Sequence, residues 1–132
     1  MLEIFPPKKK NILIFDDHST NDLKKVLPKN SFSILFTRYE KINIFILLKL
    51  IFKLKYKYRD YLKTYIEYVK PKILITLIDN NIFFYQIKFK FLKKIAVQNG
   101  KRTNIPQDMF FNLQKKKIDL FTDYLFTHNS SI

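Results

Sequence analysis

The stretch KPKILITLIDNN, residues 70–81, carries the reading of the fold. Ile73 to Ile78 is almost unbrokenly apolar, and most of it is β-branched. A strand with one wet face alternates apolar and polar residues. A continuous run is expected of a strand covered on both faces, and such strands belong to parallel sheets. Lys70-Pro71 ends whatever helix precedes it, because the residue before a proline is pushed out of the helical region. Asn80 or Asn81 can cap the next helix, predicted to run to about Lys90.

Outward from this strand the same signals recur. Asn11 to Phe15 (NILIF), Phe32 to Thr37 (FSILFT), Lys94 to Gln98 (KIAVQ) and Asp123 to Thr127 (DYLFT) read as four more strands. Ser19 or Thr20 can cap a short helix ending near Leu27, with Pro28 as its stop. Ile42 to Val69 reads as one long helix with room for a single break. Its apolar stripe is Ile44, Leu47, Ile51, Leu54, Tyr58, Tyr61, Tyr65 and Val69. Lys49, Lys53, Lys57, Asp60, Thr64 and Glu67 form the opposite stripe, and Lys63 and Glu67 can pair at i,i+4. Asn99 to Asp108 is predicted as a loop and Met109 to Lys115 as a short helix. Strands alternating with helices predict one α/β domain over residues 1–132, an open, mostly parallel, doubly wound, Rossmann-like sheet of about five strands.

Composition narrows the chemistry. The chain has 132 residues, a single glycine (Gly100) and no cysteine. A Walker loop and a G-x-G-x-x-G fingerprint are therefore excluded, as are disulfides and thiolate metal sites. His18 and His128 are far apart in sequence and form no zinc-type cluster. The formal net charge of +14 is almost all lysine, with arginine only at Arg38, Arg59 and Arg102. Such a charge suits nucleic acid, an anionic membrane or phosphorylated substrates, and it also follows from AT-rich coding. Ile42 to Leu54 is too short and too charged to span a bilayer. That basic-aromatic segment could instead lie on a membrane with Phe45, Leu48 and Phe52 inserted, or pack on the sheet with its lysines in solvent. The first ten residues lack the apolar core of a secretory signal.

Polar residues trail every predicted strand: Asp16, Asp17 and His18; Arg38; Asp79, Asn80 and Asn81; Gln98 and Asn99; and His128, Asn129 and Ser130. Open parallel sheets bind ligands beyond the carboxyl ends of their strands, so a parallel sheet gathers these residues at one edge. Each is equally a turn former or helix cap when taken alone. Gln98-Asn99-Gly100 stands out, because the only glycine allows a sharp turn and a close approach to a ligand. His18 and Asp16 are the candidate acid–base groups. Asp17, Asp79, Asn80, Gln98, Asn99, Gly100 and Arg102 are the candidate substrate-binding set, and no metal is assigned.

The segments NILIFDDHSTNDL, ILFTRYEKINIFILLK, YIEYVKPKILITLIDNNIFFYQI, KKIAVQNGKRT and DYLFTHNSS cover most of the chain. Together they resemble the N-terminal half of bacterial surface-carbohydrate biosynthesis proteins, glycosyltransferases of the GT-B type. The resemblance implies an acceptor-side domain, with the nucleotide sugar held by a further C-terminal domain and no cofactor here. It implies a glycan or lipid-linked acceptor, a cytoplasmic site of action, peripheral contact with the inner membrane face, no specific nucleic acid, and no activity for this portion alone. In related capsule and teichoic-acid polymerases a strand-ending His-Gly pair supplies the base. Here Asn99 precedes Gly100, so the resemblance leaves Asn99 a hydrogen-bonding role and His18 as the nearest substitute. Asn80 and Asn99 would meet sugar hydroxyls, and Arg102 a phosphate or carboxylate.

Two other classes fit parts of the sequence. ILIFDDH followed by PKILITLID is similar to a phospho-acceptor receiver domain, where Asp16 and Asp17 would hold magnesium and Asp79 would accept phosphate. The long intervening helix, the lack of Met-Pro after Asp79 and the lack of a lysine after strand five oppose it. A basic nucleic-acid-binding module would use the lysines and interleaved aromatics. It has no reader motif, and its tyrosines fall on the predicted buried stripe.

Overall fold

The computed structural model describes residues 1–54, 56–78, 81–98 and 120–127. Seven strands are present among them: β1 (Leu2–Glu3), β2 (Ile12–Phe15), β3 (Phe32–Leu35), β4 (Ile42–Asn43), β5 (Ile73–Thr76), β6 (Lys93–Val97) and β7 (Tyr124–Phe126). Four helices accompany them: α1 (Asn21–Val26), α2 (Ile44–Phe52), α3 (Tyr58–Val69) and α4 (Ile82–Gln86). The main sheet has five strands in the order β3-β2-β5-β6-β7, and every pairing is parallel. The α/β class and the open parallel sheet expected from residues 70–81 are thus observed. β5 is the middle strand, which explains its unbroken apolar run.

Strand register sorts the sheet's side chains into two faces. Leu13, Phe15, Leu35, Leu74 and Ala96 are buried in one cluster with residues of α2, α3 and α4. Ile12, Ile14, Ile34, Ile73, Ile75 and Ile95 alternate with them on the other face. Only Ile14 and Ile75 of that second set are buried, and α1 buries none of its own residues. The domain's main core therefore lies on the α2–α4 side.

The segment read as one long helix is a short strand and two helices. Asn43 is the turning point: its side-chain oxygen accepts from Ile46 N–H at 3.3 Å and caps α2. Its amide donates to Phe5 O at 2.8 Å, and its own N–H donates to the Tyr61 hydroxyl at 2.9 Å. β4 leaves the main sheet to pair in parallel with β1, a strand absent from the sequence reading. α2 ends at Phe52, and Leu54 then adopts φ 51°, a left-handed turn that breaks the helix. The predicted stripe holds in α3, where Tyr61, Tyr65 and Val69 are buried and Tyr58 is partly so. It fails before the break, where Ile46 and Leu50 of α2 are buried while Leu47, Ile51 and, past the helix end, Leu54 face solvent. Thr64, assigned to the polar stripe, is buried. Glu67 pairs with Lys53 of the preceding turn at 3.1 Å rather than with Lys63, because the break brings α2 back against α3.

The remaining boundaries shift modestly. Asn81 caps α4 by accepting from Phe83 N–H at 3.1 Å, but α4 stops at Gln86 and not near Lys90. Lys94, only 2% exposed, donates to the α4 carbonyls of Phe84 and Tyr85 at 3.3 and 2.9 Å. A cation on the last carbonyls of a helix satisfies groups that the helix itself leaves unpaired. The predicted loop at 99–108 and helix at 109–115 lie outside the described residues.

Candidate functional site

Parallel pairing places the carboxyl ends of β2, β3, β5, β6 and β7 along one edge. The first crossover carries the chain from β2 to β3 on one side, and the next carries it back past β2 to β5 on the other. That reversal places the topological switch point between β2 and β5, the position at which open α/β sheets bind ligands.

Asp16 stands at this point, directly after β2, and is 3% exposed. Its backbone adopts φ 76°, and Ser19 follows at φ 58°. Non-glycine residues take this region infrequently, and aspartate tolerates it better than most. The turn folds the carboxylate back so that one oxygen accepts from His18 N–H at 3.0 Å. The other oxygen accepts from the Thr37 hydroxyl at 2.6 Å and from Arg38 Nε at 3.0 Å. One buried carboxylate thus ties the β2 exit to the β3 exit. Arg38 remains 52% exposed along its side chain, so the guanidinium is held by one nitrogen while its outer part faces solvent. The His18 side chain is also exposed.

Asp17 points elsewhere. It accepts from the Thr20 hydroxyl at 2.7 Å and forms an ion pair with Lys24 of α1. Burial alone would raise its pKa, but the hydrogen bonds from Lys24 and Thr20 outweigh that and hold it below the usual carboxylate value. Thr20 precedes α1 yet makes no side-chain cap bond; its hydroxyl donates to Asp17. On the β5 side, Thr76 is fully buried; its hydroxyl lies 3.2 Å from Phe15 O and accepts from Ile78 N–H at 3.0 Å. The contact with Phe15 O joins the β5 exit to the end of β2.

Of the expected site residues, Asp16, Asp17 and His18 share one turn, and Gln98 lies at the same sheet edge. Gln98 N–H extends the β6–β7 ladder by donating to Phe126 O at 2.8 Å. Two inter-strand steps of about 4.8 Å separate the β2 and β6 ends. Asp79, Asn80, Asn99, Gly100, Arg102 and His128 lie outside the described residues. Thr37 and Thr76 were not anticipated, although Thr76 is the one polar residue in ILITLI and Thr37 the last of FSILFT. Arg38 was noted only as trailing its strand. The acidic pair invoked for a receiver carries a guanidinium on Asp16 and an ammonium on Asp17. Among the described residues, no group of three or more His, Asp or Glu side chains is placed to hold a metal ion.

No protein-family profile, curated protein or solved structure matches this chain.

Proposed function

We propose that the sheet edge at the β2–β5 switch point binds a polar, anionic acceptor. In this reading the chain is the acceptor-side domain of a glycosyltransferase of surface-polysaccharide assembly. The observation that supports it most is the Asp16–Arg38 latch. A buried carboxylate in a left-handed turn holds a half-exposed guanidinium at the β2–β3 exits, one strand from the β2–β5 switch point. Arginine presents a planar donor fork suited to a phosphate or carboxylate. Anchoring Nε leaves the outer nitrogens to receive it. Asp16 then acts as a positioning residue, since both of its oxygens are engaged. His18, two residues on and exposed, is the group that would take a proton from an acceptor hydroxyl. The transferase class rests on the family resemblance, and the donor nucleotide sugar would be held by a second domain.

Titrating the isotopically labelled chain with glucose 1-phosphate, against glucose as a neutral control, tests this reading. The phosphorylated sugar should shift the amides of residues 16–18 and 37–38 and the Arg38 Nε resonance. Arg38→Ala should abolish those shifts while far-ultraviolet circular dichroism shows the domain still folded. Shifts confined to other regions, or unchanged by Arg38→Ala, would refute it.

A further inference from the structure

The helix α2 is built backwards for a water-soluble surface. Its inward side is Ile46 and Leu50, both buried. At 100° per residue the opposite side is Leu48, Ile51 and Phe52, with Leu47 beside them. None of these is charged, and their exposures are 50, 55 and 87% for Leu48, Ile51 and Phe52. Leu54 and Tyr56 extend the exposed apolar surface past the end of the helix. A helix apolar all round is normally enclosed. Here one side lies open; the neighbouring strand β1 packs against α2, and Leu2 of β1 and Ile4 and Phe5 just after it are exposed too.

The charges around this surface identify what covers it. Lys49 borders the apolar side of α2, while Lys53 pairs with Glu67 of α3, and Lys57 follows. The chain beyond β1 continues as Lys8, Lys9 and Lys10. The two basic groups meet: Lys9 Nζ lies 5.4 Å and Lys49 Nζ 5.5 Å from the centre of the Tyr68 ring. Lysines seated beside aromatic rings at the border of an exposed apolar strip suit an interfacial helix. A cavity of about 430 Å³ lined by Leu47, Leu50, Ile51 and Tyr61 adjoins the strip and can accept an alkyl chain. A second copy of the chain, itself at +14, would be repelled by the lysines.

We propose that α2 and β1 form a docking face for an anionic lipid bilayer, with Leu48, Ile51 and Phe52 entering the headgroup–acyl boundary and the lysines meeting lipid phosphates. No described helix is long and apolar enough to cross a membrane, so the contact is made at the surface. This inference stands apart from the acceptor reading, which concerns the sheet edge.

The chain contains no tryptophan, so Phe52→Trp creates a lone reporter. Adding vesicles of phosphatidylcholine with about 30 mol % phosphatidylglycerol should shift its emission to the blue and expose it to quenching by brominated acyl chains. Val26→Trp, on exposed α1, should stay unshifted. Leu48→Glu with Ile51→Glu, or Lys8→Glu with Lys57→Glu, should weaken vesicle co-sedimentation by about tenfold or more, and rising salt should weaken it too. Far-ultraviolet circular dichroism should show these exposed-site variants folded. Equal binding to pure phosphatidylcholine, equal shifts at residues 26 and 52, or a blue shift that grows with protein concentration without lipid would overturn the proposal.

Discussion

Asp16 shows how one residue can hold two strand exits. Its carboxylate accepts the His18 N–H, the Thr37 hydroxyl and the Arg38 guanidinium. A buried donor stripped of its acceptor costs about 1–3 kcal/mol. Arg38 is half exposed, so water recovers much of its share. Asp16→Ala should therefore destabilise the domain by roughly 2–4 kcal/mol, adding the penalty of alanine at positive φ. Asp16→Asn keeps one oxygen acceptor and tolerates the left-handed turn, so it should lose no more than about half as much. Urea unfolding of the three proteins checks the ranking. Equal stability for Asp16→Ala and the parent would remove the latch as a structural element.

The helices carry predictions of a different kind. The ring stack along α3 buries hydroxyls: burial pushes Tyr58 up to about 12 and raises Tyr61 and Tyr65 as well. In the unfolded chain these groups ionise near 10. Because the folded values are the higher ones, the protection is fully present below pH 10 and is lost as pH rises through the folded values. Alkaline unfolding should set in between about pH 10 and 12. Tyrosinate absorbance of these residues should appear together with loss of ellipticity, and Tyr65→Phe should move the transition upward in pH. Lys70, at φ 50°, caps α3 in the left-handed region where glycine is usual. Lys70→Gly should raise stability by about 0.5–1 kcal/mol, read as a higher melting temperature. No rise would mean that the lysine side chain offsets its backbone strain.

Across the whole molecule the sheet sets an order of local stability. β2 and β5 have a paired strand on each side and buried flanks, whereas β7 is at the edge of the sheet among the described residues, with all three of its residues exposed. Amide exchange should follow this order. Leu13, Ile14, Leu74 and Ile75 should exchange only on global unfolding, while Leu125 and Phe126 exchange through local opening. Faster exchange in β5 than in β7 would contradict the topology.

Much of this architecture was legible in the residues because it depends on local chemistry. ILITLI announces a strand buried on both faces, Pro28 and Pro71 end the helices before them, and Asn81 caps the next one. Tyr61, Tyr65 and Val69 keep a helical spacing that α3 obeys. The α2 register was not legible, since a stripe drawn across Leu54 assumes an unbroken helix. One left-handed residue there rotates everything before it. β1 and β4 were equally hidden, as two-residue strands have no periodicity, and the Thr37 and Arg38 contacts to Asp16 span 21 and 22 residues. The sequence by itself determined the class of fold, a strand covered on both faces and the shared edge, because burial pattern and turn chemistry are written within a few neighbours. Tertiary structure alone decided which side of α2 faces outward and which cation answers Asp16. Those outcomes depend on segments distant along the chain meeting in space, and hydrophobic periodicity carries no record of who meets whom.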